Sequence, residues 1–422
     1  LVVSCRSTSA LPGLRSGRTE IDVGKTHSAL PEPSTEETAH SARLADVIRQ
    51  EIASTGPVSF ARFMERCLYA PGLGYYSAGR LKFGKAGDFV TAPELGNLFA
   101  RCVARAMAPA LRACGEDAVW FELGGGSGAF ARDALLELQA LDALPEQYWL
   151  LEPSADLRER QRERLQSELP ADLSARCAWL DRPPQQAWTG VLFANEVLDA
   201  LPVTRFTLQG GEVFEEHIEA NGNGAFVRTD RPADPLVAGA VRHLQRSLGR
   251  EFEDGYRSEV LPQLPWWLEA IAGTQTRGAV LFVDYGYVRR EFYLPERRDG
   301  TLLCHYRHRA HDDALILPGL QDITASVDFT ALAEAGVGAG FELASYAFQS
   351  EFLIASGLDG AFAAAYEATP DEPARYALAQ QVKRLTLPGE MGERFQAMLL
   401  TRDLDAGAVF PGLLAIDRSA RL

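Results

Sequence analysis

At 422 residues, 46% hydrophobic and 23% charged, the chain can bury one large core and still carry additions around it. Its formal net charge of −15 disfavours nucleic acid as the main partner, because phosphate contacts need clustered Lys and Arg. No apolar run approaches the ~20 residues of a bilayer-crossing helix. The cysteines (Cys5, Cys67, Cys102, Cys114, Cys177 and Cys304) form no CxxC pair, so neither a zinc knuckle nor a redox motif is expected.

Residues 1–42 show no apolar period and are rich in Ser, Thr, Pro and Gly, which reads as a disordered leader. Arg6, Arg15 and Arg18 precede the first acid, Glu20, a faint transit-peptide pattern that keeps the mitochondrial matrix open as an alternative. The Ala/Arg/Leu bias of the rest favours a bacterial protein of the cytoplasm. From Ser41 the pattern turns helical, with Leu44, Val47, Ile48 and Ile52 at three- and four-residue steps. Gly56-Pro57 breaks that helix, and Phe60, Phe63, Met64, Cys67 and Leu68 begin another, so residues 43–115 read as a helical N-terminal region or lid.

A short apolar strand pattern at 118–123 runs into Gly124-Gly125-Gly126-Ser127-Gly128, and Phe130, Ala134, Leu135, Leu138 and Leu141 then share one helical face. The glycines therefore lie at a strand-to-helix turn. Further strands are expected at 148–151, ending in Glu152-Pro153, at 177–180, and at 190–194, ending in Asn195-Glu196. Ser154 is a plausible N-cap for the next charged helix. Strands alternating with helices predict a doubly wound, Rossmann-like α/β core over residues 116–350. Gly210-Gly211 and Asn221-Gly222-Asn223-Gly224 mark an inserted β-hairpin within residues 203–275. A buried strand at 279–283 ends in Asp284-Tyr285-Gly286, a place where a ligand loop or a capping aspartate would both fit. Residues 341–348 close the sheet, and 351–422 read as helical, with Met391, Phe395, Met398 and Leu399 on one face.

The loop spacing Gly124-x-Gly126-x-x-Ala129 lets a ligand approach backbone N–H groups, and by itself it suits a dinucleotide as well as a methyl donor. Glu152 lies at the distance expected for a ribose-binding acid in either class. Glu122 separates the two. A carboxylate there would repel a pyrophosphate, at a cost on the order of a kcal/mol or more, but would stabilise the sulfonium and ammonium of S-adenosylmethionine (SAM). A helix-capping or salt-bridged role remains the alternative for Glu122. His305, His308, His311, Asp312 and Asp313 could gather as metal ligands, yet Arg307 and Arg309 between them disfavour a dication, so a surface or substrate-facing loop is expected and no metal.

Several spaced motifs together resemble the MidA-like family of SAM-dependent methyltransferases, which includes a mitochondrial complex I assembly factor with protein-arginine methyltransferase activity. They are Pro71-Gly72-Leu73-Gly74-Tyr75-Tyr76, Gly87-Asp88-Phe89-Val90-Thr91-Ala92-Pro93-Glu94, the loop at 122–128, Asn195-Glu196-Val197-Leu198-Asp199-Ala200-Leu201-Pro202, Asp284-Tyr285-Gly286-Tyr287, the 300–313 stretch, and Gly319-Leu320-Gln321-Asp322-Ile323-Thr324. The resemblance runs from about residue 43 to near the C-terminus. It implies SAM as cofactor and methyl transfer to a protein, with symmetric dimethylarginine as product and a respiratory-complex subunit as one candidate partner.

By motif, Glu122, Gly124 and Gly126 should face the methionine end of SAM and Glu152 the ribose. Asn195 and Glu196 should face the reacting methyl, with Asp199 a further candidate, and residues 88–94 resemble the family's lid. Asn195-Glu196-Val197-Leu198 lacks the Asn-Pro-Pro-aromatic arrangement of amide and base methylation. A methyltransferase for another substrate and a SAM-binding assembly factor without catalysis remain alternatives, and a homodimer remains open.

Overall fold

Trp120 and Phe121 are chain neighbours that pack into two different cores. They lie on strand β1, Val119–Leu123, which is buried at every position. Covering both faces of a strand is what a doubly wound sheet requires, and it explains the continuous apolar run. The structure, a computed structural model, describes residues 30–78 and 91–422. Residues 32–422 form a single compact unit; of residues 1–31, a separate unit, only Leu30 and Pro31 are described.

The other strands of the central sheet are β2 (Gln147–Leu151), β3 (Cys177–Leu180), β4 (Trp188–Asn195), β5 (Gln275–Tyr287), β6 (Glu342–Phe348) and β7 (Phe395–Arg402). Their spatial order is β3-β2-β1-β4-β5-β7-β6, and a short eighth strand, Val327–Asp328, pairs parallel with the end of β5. Strands β1 to β5 pair parallel, whereas β7 runs antiparallel to both β5 and β6. The order reverses at β1, so the carboxyl ends of β1 and β4 flank a switch point where open α/β sheets bind ligands.

Helices Leu98–Cys114 and Ala129–Ala140 cover one face, and Leu264–Ala272 and Phe329–Gly338 the other. Phe193 of β4 stacks on Phe130 at 4.2 Å, and Trp120 stacks on Tyr148 at 5.9 Å. Each fully buried aromatic of this kind contributes ~1.5–3 kcal/mol. Such packing fixes the helix after the glycine loop against the sheet.

The structure corrects three boundaries. Residues 35–42, expected in the leader, belong to helix Thr35–Thr55, because Ser34 and Glu37 form a capping box that starts the helix ahead of its apolar stripe. Residues 1–29 of that leader lie outside the described residues. The inserted hairpin is part of a larger sheet: Thr204–Gln209, Glu212–Ala220 and Phe226–Pro232 are joined by Arg257–Val260 and by Val58–Ser59 from the N-terminal region. Buried Arg205 knits it together, with Glu216, Glu259 and Asp299 within 3.5 Å.

Lastly, Phe395, Met398 and Leu399 are strand residues and not one helical face. Met398 and Leu400 enter one core while Ala397 and Leu399 enter the other. A fully buried strand carries an unbroken apolar run, which periodicity alone does not separate from a buried helix. The C-terminal region is helical as far as Thr386.

Candidate active site

At the carboxyl ends of β1, β2 and β4 lies a cavity of about 260 Å³. Its floor is the glycine loop. Gly124 and Gly126 have φ of 63° and 52°, left-handed values that favour glycine. A Cβ added to Gly124 would meet Val197 Cγ2 at 3.0 Å, so the loop leaves little room for a side chain between the two strand ends.

Glu122, at the end of β1, is 3% exposed and accepts a 2.7 Å hydrogen bond from the Tyr148 hydroxyl. Burial pushes its carboxyl up to about 8, against the lowering effect of Tyr148 and with a further rise from the neighbouring Glu152. A ligand cation placed beside it would reverse that shift. Glu152, just past β2, is anchored by the backbone N–H of Ser154 at 2.9 Å. Gln161 buttresses the same corner by donating to Gly126 O at 2.9 Å while accepting from Trp179 Nε1 at 2.8 Å.

Past β4 the chain turns sharply. Glu196 has φ of 52°, an uncommon value for a residue with a Cβ, and its N–H donates to Val283 O at 3.0 Å. Asn195 Nδ2 donates to Glu196 Oε1 at 3.0 Å. The segment is a turn and not a helix, and Asp199 lies on the cavity wall with Asn195 and Glu196. Burial raises the Glu196 carboxyl to about 8, with Asp199 and Asp322 adding to it, and raises Asp199 to about 6. Asn195 Oδ1 is shielded from water and accepts no hydrogen bond within the described residues, whereas the Asp199 carboxyl is held by Tyr285 and by backbone N–H groups. A buried acceptor like that of Asn195 calls for a donor, and a bound ligand can supply it.

Asp284, three residues before the end of β5, stands behind this turn. Its Oδ2 accepts the backbone N–H groups of Val197, Leu198 and Asp199 at 3.2, 3.0 and 3.3 Å. It thus holds the turn from outside the cavity lining, nearer the capping reading of the motif than the ligand-loop one.

Three parts of the wall were not singled out as site residues. Tyr69 and Tyr76 come from the N-terminal region, Trp267 from helix Leu264–Ala272, and Asp322 from the short strand Asp322–Thr324. Only their membership of motif strings hinted at two of them, because residues so far apart in sequence are brought together by the tertiary fold alone. Thr91, Pro93 and Glu94 of the expected lid also line the cavity, and Ser127 Oγ donates to Glu94. The rest of that lid motif, 87–90, lies outside the described residues. His305 and His311 occupy strands of a small separate sheet, Leu303–Tyr306 and Arg309–His311, with Arg307 and His308 in the turn between them.

Six carboxylates line the cavity, Glu94, Glu122, Glu152, Glu196, Asp199 and Asp322, while no Lys, Arg or His does among the described residues. Such a cavity suits cationic ligands. Residues 102–347 match the profile of a family described as "Putative S-adenosyl-L-methionine-dependent methyltransferase". The chain belongs to this methyltransferase family.

Relatives agree over nearly the whole length. A crystal structure from Burkholderia thailandensis, bound to S-adenosyl-homocysteine, is 40% identical with a TM-score of 0.85, covering 93% of this chain and all of that one. The protein arginine methyltransferase NDUFAF7 homolog, mitochondrial, of Drosophila melanogaster is 28% identical over 91% of this chain and 89% of its own. Protein arginine methyltransferase NDUFAF7, mitochondrial, of Mus musculus is also 28% identical, over 92% and 90%. The fold is therefore that of a SAM-dependent methyltransferase, with SAM as its cofactor. No helix among the described residues is long and apolar enough to cross a membrane.

Proposed function

We propose that this methyltransferase transfers the methyl group of SAM to a guanidinium nitrogen of arginine in a protein. The observation that carries the reading is the acid-rich, cation-free lining of the cavity among the described residues. Arginine keeps its charge near neutral pH, so only a site rich in carboxylates can hold it in a water-poor cavity. The names of the relatives at 28% identity agree with this acceptor.

SAM, when bound, supplies an electrophilic methyl group on a sulfonium. The chain's own residues then have separable tasks. Glu122 holds the donor's cationic end over the Gly124 and Gly126 backbone, and Glu152 accepts from the ribose hydroxyls. Glu196, steadied by Asn195, pairs with the guanidinium and orients one nitrogen for in-line attack. Glu196, ionised when it pairs with the guanidinium, is placed to receive the proton that nitrogen loses as the methyl is transferred, and Asp199 on the same wall is a second acceptor for it. The product is symmetric dimethylarginine, and a respiratory-complex subunit in bacterial cytoplasm or mitochondrial matrix is the candidate partner.

The test is incubation of the purified protein with isotopically labelled SAM and extract from a deletion strain, followed by mass spectrometry of labelled peptides. Label on arginine supports the reading. Label confined to another residue type or to a small molecule overturns it, and SAM binding with no transfer to any acceptor would favour a non-catalytic assembly role.

A further inference from the structure

The acceptor end of the cavity is finished by residues outside the central sheet. Tyr69 ends helix Phe60–Tyr69, Tyr76 sits in the turn Tyr75–Ser77, and Asp322 opens the strand Asp322–Thr324. The two tyrosine rings stack, with centroids 5.6 Å apart and planes 21° from parallel. Their hydroxyls are both engaged. Tyr69 donates to Ala200 O at 2.8 Å, next to Asp199, and Tyr76 donates to Asp322 Oδ1 at 3.0 Å. The rings thus line the cavity with their orientation fixed at the hydroxyl end, and Asp322, 3% exposed, faces the same space as Glu196 and Asp199.

We propose that Tyr69, Tyr76 and Asp322 form an acceptor-selecting wall that admits a planar, delocalised cation, the arginine guanidinium, in preference to a lysine ammonium. The inference rests on the arginine reading above and adds to it which residues make the choice. A guanidinium is weakly hydrated, stacks on aromatic faces and offers donors on two edges, so it can meet an aromatic wall and carboxylates on opposite sides at once. An ammonium is a compact, strongly hydrated charge that cannot stack flat on an aromatic plane and keeps more of its desolvation cost. Glu196 on the β4 turn and Asp322 on the added strand are near enough for the Asp322 charge to raise the Glu196 carboxyl, as two acids facing one cation site would.

The experiment uses the full chain saturated with S-adenosyl-homocysteine and titrates Nα-acetyl-L-arginine amide or Nα-acetyl-L-lysine amide, followed by ligand NMR. The wild type should bind the arginine amide about tenfold or more tightly than the lysine amide. Asp322→Asn and Tyr69→Ala should each lower arginine-amide affinity about fivefold or more while S-adenosyl-homocysteine affinity stays within about threefold and circular dichroism is unchanged. Tyr76→Phe, which keeps the ring but removes its hydrogen bond to Asp322, should retain part of the preference for arginine. Equal binding of the two amides by the wild type, or unchanged arginine-amide binding in both Asp322→Asn and Tyr69→Ala, overturns the wall. Either result can coexist with labelled arginine recovered from extract, so failure of the wall is distinguishable from failure of the arginine reading.

Discussion

Asp284 Oδ2 accepts the backbone N–H of Leu198 at 3.0 Å, and the same oxygen takes the N–H groups on either side of it. One buried carboxylate on β5 therefore sets the shape of the turn that carries Asn195, Glu196 and Asp199. Removing it would leave three donors without their acceptor, at ~1–3 kcal/mol for each that water does not reach. Asp284→Ala should lower stability in urea denaturation by about 2–4 kcal/mol and cut methyl transfer far more than SAM affinity. Unaltered stability and turnover would mean that the turn keeps its shape without this anchor.

Gly124→Val should abolish SAM binding. The substitution forces a β-branched residue to a φ of 63° and drives its Cβ to 3.0 Å from Val197. Calorimetry on a variant with wild-type circular dichroism checks this. Normal binding by the folded variant would remove the glycine loop from the donor site.

Glu122 makes SAM binding pH-dependent. With its carboxyl at about 8, the empty protein is mostly protonated there at pH 7, and a cationic ligand favours the ionised form. Binding should release close to one proton at pH 7, measured by calorimetry in buffers of different ionisation enthalpy, and affinity should fall as pH drops below about 8. For stability the sign is opposite. The raised carboxyl contributes stability that is fully present below the ordinary value of 4.5 and is lost as pH rises through about 8, so ligand-free protein should soften over that window. Glu122→Gln should abolish this proton release and remove its share of the stability loss, leaving the share of Glu196, whose carboxyl is also raised to about 8; no change in proton release would contradict the assignment.

Glu152→Ala should weaken SAM about ten- to a hundredfold, since charged hydrogen bonds of the kind expected to ribose contribute roughly 1.5–3 kcal/mol. Thermal shift with SAM and with S-adenosyl-homocysteine reads it. Unchanged affinity in an intact protein would leave Glu152 with a structural role beside Ser154 and Gln161.

Much of the core was legible because local signals agreed. The apolar strand of Phe121, the turn of Gly124 and Gly126, and the helical face of Phe130 and Leu138 are all encoded within about twenty residues of each other. The inserted hairpin was equally plain at Gly210-Gly211, where both residues have positive φ. Strand β7 was not, because Met398 and Leu399 face different cores and both faces are apolar. Glu196 stood out by its place after β4, whereas Tyr69 and Asp322 reach the same cavity from segments 253 residues apart in the chain, a separation no local pattern reports. The start of the first helix was missed for a smaller reason: its first two turns carry no large apolar residue, and only the Ser34/Glu37 pair marks them.

The central claim is that Glu196 holds the acceptor cation beside the reacting methyl, and Glu196→Gln tests it most directly because it keeps shape and removes charge. SAM affinity and methyl transfer are measured on the same preparation, with the acceptor identified by labelling. The account predicts SAM affinity within a few-fold of wild type and transfer reduced by about two orders of magnitude or more, as for loss of ~3 kcal/mol at the reacting centre. Transfer at the wild-type rate, or a loss no larger than the loss in SAM affinity, would contradict it.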